Sequence, residues 1–404
     1  MMVSSPGQRQ LNRVSSARHV LIAGAGIGGL TTAIALAQRG ASVNIFEKAS
    51  ELGEIGAGIQ LSPNALHVLD AFGLAPAIEA LAFEPEAGVL RDYKTGKALL
   101  TTPMKDAYTK RYGQKYLHIH RADLLSILEG AARSLGVKFH MGVAAVNFRQ
   151  DEISIHLNTQ DGTHSGDYLI GADGIHSVIV QAIQGESTPE FRGQVAWRGM
   201  IPADKLPVNT IPLAANNWLG PDRHFVSYYV RGGKLINFIA VEERETWQEE
   251  SWSAQGDMAE LRAAFTGWDP RLTALLEACE TCYLWGLFDR PPLPTWHQGR
   301  AVLMGDAAHP MLPFMAQGAA MAIEDAWVLA DTISKGHSLV SYERARKPRT
   351  TQLQKVSRDN AALYHQGPGF GRTLRGAKFA AGKLIPAAVE ARLGKIYGVD
   401  VTKH

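Results

Sequence analysis

An α/β fold is predicted: a parallel-sheet domain assembled from separated segments, an antiparallel sheet inserted into it, and a helical C-terminus. Three observations carry that expectation. Within residues 19–47 an apolar run, a glycine-rich turn, an Ala/Leu-rich segment and a second apolar run follow one another. This is the order of a βαβ unit with parallel strands. The same strand–helix texture returns at 301–333. Between them, at about 190–290, Trp197, Trp218, Phe225, Tyr228, Tyr229, Phe238, Trp247, Trp252, Trp268 and Trp285 gather in short alternating segments. Alternation of that kind marks antiparallel strands with one covered face.

Length and composition narrow the function. At about 150 residues per domain, 404 residues suggest two or three domains. The net charge of +2 gives no field that would gather nucleic acid or an anionic membrane surface. Two cysteines, Cys279 and Cys282, exclude a disulfide framework and point to a reducing, cytoplasmic home. Arg9, Arg13 and Arg18 ahead of the uncharged run Val20–Gln38 imitate a signal peptide or a membrane span. The glycines of that run, Gly24, Gly26, Gly28 and Gly29, weigh against it.

Taken in order, residues 1–17 are polar and expected to fray. His19–Ala23 reads as a buried strand, Gly28–Gln38 as a helix and Ala41–Phe46 as a second strand with Glu47 at its end. Pro63–Phe72 is a short helix, Tyr116–His120 a strand, and a helix runs from Ala122 to about Leu135. Ala145–Phe148, Ile153–Leu157 and Tyr168–Ile170 read as one meander with turns such as Asp161-Gly162. Phe225–Val230 and Leu235–Val241 are strands, Met258–Ala264 is helical, and Trp268-Asp269-Pro270 is a turn. Ala301–Met304 returns to a strand, Gly318–Ile333 to a helix, and the chain from Tyr342 on is helical with exposed charge. Segments 18–80, 116–185 and 291–335 thus make the parallel-sheet domain, 81–115 and 186–290 the inserted domain, and 336–404 the helical end.

Gly24-Ala25-Gly26-Ile27-Gly28-Gly29 fits G-x-G-x-x-G through Gly24, Gly26 and Gly29. The first glycine permits the turn, the second lets backbone approach a pyrophosphate, and the third lets helix pack on strand. The helix start then offers free N–H groups to an anion. Glu47 stands 18 residues beyond Gly29, where the ribose hydroxyls of an adenosine would lie. A carboxylate there repels a 2′-phosphate, so the fingerprint suits a Rossmann-like site for NAD or FAD.

Two further segments complete a set. Gly171-Ala172-Asp173-Gly174 closes a strand in a tight acidic turn. Gly305-Asp306 follows the strand Ala301–Met304 and leads through Pro313 to a helix start near Gly318. In this order the three segments resemble the FAD-dependent aromatic hydroxylases, the single-component flavoprotein monooxygenases, over about residues 19–335. Glu324-Asp325-Ala326 and the ending Arg392–Asp400 also fit. The branch it looks most like acts on salicylate, 3-hydroxybenzoate and 6-hydroxynicotinate. One departure is Val180, where the family's second signature usually carries arginine.

The resemblance implies FAD as cofactor, with NADH or NADPH as transient co-substrate and O2 and an aromatic compound as substrates. It implies hydroxylation of a phenolic carboxylate through a flavin C4a-hydroperoxide. Gly24, Gly26, Gly28 and Gly29 would wrap the pyrophosphate, with Glu47 on the ribose and Lys48 beside it. Arg121 and Asp173 would contact or support FAD, and Asp306 the ribityl chain. Gln60, Pro313, Gly318 and Ala319 would lie against the isoalloxazine. An N-heteroaromatic substrate, or a flavin oxidase or dehydrogenase on the same fold, remains the alternative. Gln60 and Phe314 stand where the nicotinate enzymes have histidines, which favours a carbocyclic ring. Monomer and homodimer are both open, and no metal is expected.

His224 and Tyr228, four apart, share one face of a strand. The spacing alone fits a packing Tyr beside an incidental His. The resemblance makes His224 the phenol's base or partner and Tyr228 its orienting hydrogen bond, both counted as catalytic. Cys279-Glu280-Thr281-Cys282 lacks a second pair and reads as free thiols. His118, His120 and His309 read as structural. Arg344, Arg346, Lys347 and Arg349 read as a solvated helix face.

Overall fold

The computed structural model describes residues 18–53, 57–185, 187–247, 254–365 and 386–403, with backbone alone at 386–389. The polar N-terminal stretch, Gly56, Trp252 and 366–385 of the expected helical end lie outside the described residues.

Val20–Ala23 is buried on both faces, as a continuous apolar run requires of a strand inside a parallel sheet. It lies near the middle of a six-stranded sheet in the order His297–Gln298, Ala301–Leu303, Tyr168–Gly171, His19–Ala23, Ser42–Glu47, Lys138–Met141. All neighbours are parallel except the short His297–Gln298 edge. Ile22 stands level with Ile45 on one side and Ile170 on the other. The helices Ile27–Gln38, Arg121–Ser134 and Gly318–Ser334 cover the sheet, joined to it in one apolar core.

One expectation is corrected here. Tyr168–Ile170 belongs to this parallel sheet and not to the meander, whose third strand is Gly162–Gly166. The apolar Tyr168-Leu169-Ile170 run was the signal. The polar Gly162–Gly166 strand pairs within a hairpin and needs no apolar alternation.

The second sheet has eight strands in the order Gln255–Gly256, Cys282–Asp289, Glu190–Pro202, Leu235–Glu243, Arg223–Val230, Ala215–Gly220, Ala87–Asp92, Ala98–Pro103. Its pairs are antiparallel except Ala215–Gly220 with Ala87–Asp92. Strand alternation divides the side chains. Trp197, Trp218, Phe225 and Phe238 pack on the far side with the helices Met258–Ala264 and Pro270–Ala278. His224, Val226, Tyr228, Ile239 and Val241 face the first sheet's side and line a cavity. The turn read at Trp268-Asp269-Pro270 is in fact a helix start. The Asp269 carboxylate accepts the Arg271 N–H and Pro270 takes the first helical position, a pairing that favours helix entry.

A long helix, Leu339–Tyr364, packs against the helix Gly318–Ser334. The basic run on it is not a solvated face. Arg346 is buried and bonded to Glu324 Oε2 at 2.6 Å and Asp325 Oδ1 at 2.7 Å. Arg349 bonds both oxygens of Glu324 at 2.8 Å. The partners sit one helix earlier, so spacing along the run could not reveal them. Among the described residues no helix is long and apolar enough to cross a membrane.

Candidate active site

A cavity of about 1440 Å³ runs from the first glycine turn to the inner face of the second sheet. That exceeds the ~300–1,000 Å³ usual for one small ligand, leaving room for a dinucleotide and a ring.

At one end, Gly24 takes φ +101°, and its N–H donates to the Phe46 carbonyl at 2.8 Å. A Cβ on Gly24 would strike the Ala172 carbonyl, and one on Gly29 the Gly24 carbonyl. These two glycines therefore serve close packing behind the wall. A Cβ on Gly26 would meet nothing within 4 Å, because Gly26 faces the cavity. Gly28 faces it too, against Met304 and Ala322. The helix Ile27–Gln38 starts without a side-chain cap, so its first N–H groups are available to an anion. Lys48 lines the same wall. Glu47 lies just behind it, one oxygen accepting the Ala25 N–H at 2.8 Å and the other the Ala49 N–H at 2.9 Å.

Midway, Asp306 follows the strand Ala301–Leu303 in a tight turn where Gly305 has φ +55°. Its carboxylate keeps its surface toward the cavity while protein encloses it elsewhere. Enclosure raises its pKa; the charges of His309 and Arg121 oppose that rise and Asp325 adds to it. Arg121 opens its helix with its N–H on the Ala57 carbonyl at 2.8 Å. His120 caps that helix, Nδ1 accepting the Ala122 N–H at 3.2 Å. Asp173 lines the cavity and one of its oxygens accepts the Val178 N–H at 2.9 Å, at the start of the helix Val178–Gln184 that Ser177 caps. Val180, in place of the expected arginine, is fully buried. Pro313, Gly318 and Ala319 line the wall at the second helix start, where a Gly318 Cβ would lie 3.9 Å from Asp306 Oδ1. His309 is structural, its Nε2 2.6 Å from Asp325 Oδ2.

The far chamber holds His224 and Tyr228. His224 Nδ1 lies 2.7 Å from His365 Nε2, and its ring packs 5.2 Å from Phe314 and 5.3 Å from Tyr364. Burial, and then the neighbouring His365 imidazole, push the His224 pKa well below its ordinary value. Burial thus keeps the imidazole neutral. Burial pushes the Tyr228 hydroxyl up, so it stays a donor. Its ring sits 4.5 Å from His118, which burial holds neutral at a pKa of about 3. Gln60 joins Tyr228 to Tyr116, whose hydroxyl donates to Gln60 Oε1 at 2.6 Å. Gly58 is small for cause, since a Cβ there would strike the Tyr228 ring. Arg198 also lines the chamber, its guanidinium 4.1 Å from the Trp285 ring centroid.

The cavity thus gathers Gly26, Gly28, Lys48, Gln60, Arg121, Asp173, His224, Tyr228, Asp306, Pro313, Gly318 and Ala319, and leaves Gly24, Gly29 and Glu47 behind its wall. Tyr116, Arg198, Tyr364 and Arg392 on the same wall were not singled out from the sequence. The alternation of Trp197-Arg198-Gly199 within an apolar strand was the one signal for Arg198. The two thiols are free and buried. Among the described residues no cluster could hold a metal ion.

Residue by residue, the cavity fits FAD. Gly26 leaves the space a pyrophosphate needs, two helix starts offer N–H groups, and a carboxylate stands between them where sugar hydroxyls would pass. The FAD binding domain family model matches residues 17–357. The chain is 38% identical over 354 residues to 3-hydroxybenzoate 6-hydroxylase of Polaromonas naphthalenivorans, covering 86% of this chain and 88% of that one. It is 34% identical over 359 residues to 6-hydroxynicotinate 3-monooxygenase of Pseudomonas fluorescens, covering 87% and 93%. The solved salicylate hydroxylase substrate complex superposes with a TM-score of 0.80 at 26% identity, covering 96% of this chain and 97% of that one. With the fold, the cavity and these relatives agreeing, the chain belongs to the FAD binding domain family as an FAD-dependent aromatic-ring monooxygenase.

Proposed function

We propose that the enzyme hydroxylates a phenolic aromatic carboxylate, with NADH or NADPH and O2 as co-substrates, in the cytoplasm. One observation carries the reading: a neutral, buried His224 and a protonated Tyr228 point from one strand face into the chamber beyond the two helix starts. FAD, when bound, supplies the two-electron chemistry and the oxygen transfer to the ring. The residues do the rest. Gly26, Gly28 and Lys48 hold the pyrophosphate, Glu47 supports the ribose end, and Arg121, Asp173 and Asp306 hold the middle of the cofactor. Gln60, Pro313, Gly318 and Ala319 seat the isoalloxazine, whose negative charge the Gly318–Ser334 helix start favours.

His224 takes the proton of the ring hydroxyl, because a phenolate is the more electron-rich target. Tyr228 donates to the same oxygen and sets the ring's orientation. Arg198 places positive charge where a carboxylate would lie. Phe314, Tyr364 and Val226 exclude water from the chamber. The phenylalanine at 314 and glutamine at 60 favour a benzene ring, and the relatives named above include enzymes of both hydroxybenzoate and hydroxynicotinate.

The test is NADH and NADPH consumption with oxygen uptake by the FAD-loaded enzyme, across salicylate, 3- and 4-hydroxybenzoate, anthranilate and 6-hydroxynicotinate. A hydroxybenzoate that speeds oxidation and gains one oxygen by mass supports the reading. Coupled oxidation with 6-hydroxynicotinate alone replaces it with the heteroaromatic one, and peroxide as the main product with every compound replaces it with an oxidase.

A further inference from the structure

His224 is enclosed, so a proton it accepts needs a way out. Its Nε2 side faces the cavity and its Nδ1 meets His365 Nε2 at 2.7 Å. His365 ends the Leu339–Tyr364 helix. Its Nδ1 lies 3.1 Å from Glu243 Oε1, at the end of the strand Leu235–Glu243. The His365 side chain is 1% exposed and the Glu243 side chain 49% exposed. We propose that His224, His365 and Glu243 form a proton path from the substrate hydroxyl to solvent. The proposal rests on His224 being the phenol's base.

Hydrogen-bond logic gives the path a direction. The Glu243 carboxylate accepts only, so it favours a proton on His365 Nδ1. That leaves His365 Nε2 bare to accept from His224 Nδ1–H. His224 Nε2 is then bare toward the cavity, the state a base requires. The tautomer of the buried base is thereby set from the surface. On ionisation, the O–H bond of the substrate breaks and its electron pair stays on oxygen. The proton bonds to His224 Nε2, the Nδ1 proton passes to His365 Nε2, and the His365 Nδ1 proton passes to Glu243 and on to water. The reverse passage restores both tautomers when product leaves.

Other groups bear on the path. Gln194 Nε2 stands 3.2 Å from His365 Nδ1, and a turn of that amide would present its oxygen to the same proton. Tyr364 flanks His224, and Arg392 acts on Tyr364. Tyr228 bounds the cavity side. Arg223 and Arg244 hold the neighbouring Glu242 and so leave Glu243 to His365. Burial, and then Asp222, raise the Glu243 pKa, which makes it a better proton acceptor than an ordinary surface carboxylate.

The test mixes the FAD-loaded enzyme rapidly with 3-hydroxybenzoate, or the panel member that stimulates turnover, in weak buffer with a pH-indicator dye. Phenolate absorbance reads ionisation and the dye reads proton release. Both slow at least ~10-fold in Glu243→Gln and His365→Ala, against the ~10²–10⁴-fold effect of losing a general base. Glu243→Asp recovers part of the rate, and added imidazole restores His365→Ala. The acid limb of the kcat/KM pH profile moves in Glu243→Gln while FAD content does not. Should His365→Ala lose FAD through misfolding, Glu243→Gln, at an exposed position, decides alone. Wild-type release rates in Glu243→Gln overturn the path. If His224→Ala slows ionisation while Glu243→Gln does not, the base stands without the path. If His224→Ala also ionises the phenol at the wild-type rate, the base itself falls.

Discussion

Asp306 shows at the scale of one residue how enclosure and exposure divide one side chain. Surrounding protein pushes its pKa up, yet the residue keeps an exposed surface on the cavity, where solvent screens the ion in the apoprotein. Asp306→Asn is therefore expected to leave the apoprotein's melting temperature at pH 7 within a degree or two of wild type. FAD retention is expected to fall sharply, because in the proposed site a sugar hydroxyl loses its charged acceptor. Thermal melts of the apoprotein, with flavin absorbance after gel filtration, check both; a full flavin spectrum in the variant removes Asp306 from the site. The position was legible because Gly-Asp after a strand is a local pattern. His365 was not, since its partner is 141 residues away in sequence and nothing near it in the chain marks it.

Elements carry the next distinction. The strand–turn–helix at residues 19–38 was readable because each glycine answers a local demand, yet the demands differ. Gly29→Ala puts a methyl group into the Gly24 carbonyl. Overpacking of that kind costs about 1–3 kcal/mol, so the melting temperature of the apoprotein drops along with flavin binding. Gly26→Ala puts a methyl group into open cavity. The apoprotein should then melt within a degree or two of wild type, a surface-like cost within about 0.5 kcal/mol, while flavin binding is lost. Apoprotein melts and flavin titration of the two variants separate packing from recognition; equal melting losses would end the distinction. The second sheet was readable as alternation, since the odd and even positions of Arg223–Val230 face a core and a cavity. The strands Ala87–Asp92 and Ala98–Pro103 were not read as such, and their parallel join to Ala215–Gly220 is a long-range pairing invisible to local periodicity.

Across the whole molecule the longest helix ties the layers together. Gln354, Ser357 and Asn360 bond the carbonyls of Pro310, Leu312 and Phe314, the loop that forms one cavity wall. Arg358 reaches Asp289 of the second sheet at 2.6 Å, and Arg346 meets Glu324 and Asp325. Burial alone would raise the Asp325 pKa, but His309 and Arg346 outweigh it and hold it at about 2. A depressed carboxylate pKa adds stability above its ordinary value of 3.8, and that stability is lost as pH falls toward 2. Arg346→Ala leaves Glu324 with Arg349 and Asp325 with His309 as their remaining ionic partners. Breaking a buried pair from one side costs about 3–5 kcal/mol. The variant is expected to melt earlier at pH 7 and to begin acid unfolding at higher pH than wild type; coincident acid transitions by tryptophan fluorescence would show the cluster to be neutral to stability. The basic run was misread from sequence for a physical reason: charge marks a surface only until a buried partner is found.

The six-stranded sheet draws His19–Ala23 and Ser42–Glu47, then Tyr168–Gly171, then Ala301–Leu303 from three distant stretches of chain. A ribosome releases the last of these only after the intervening eight-stranded sheet has emerged. The glycine turn is made first, yet the Asp306 carboxylate and the helix at Gly318 arrive after three quarters of the chain. A nascent chain stopped after Arg290 should therefore emerge colourless, with its turn exposed and no flavin held, and chains stopped beyond Tyr364 should turn yellow. During synthesis the first sheet waits open for its last parallel partner, an interval in which a chaperone has more to shield than a chain of separate, successive domains would present.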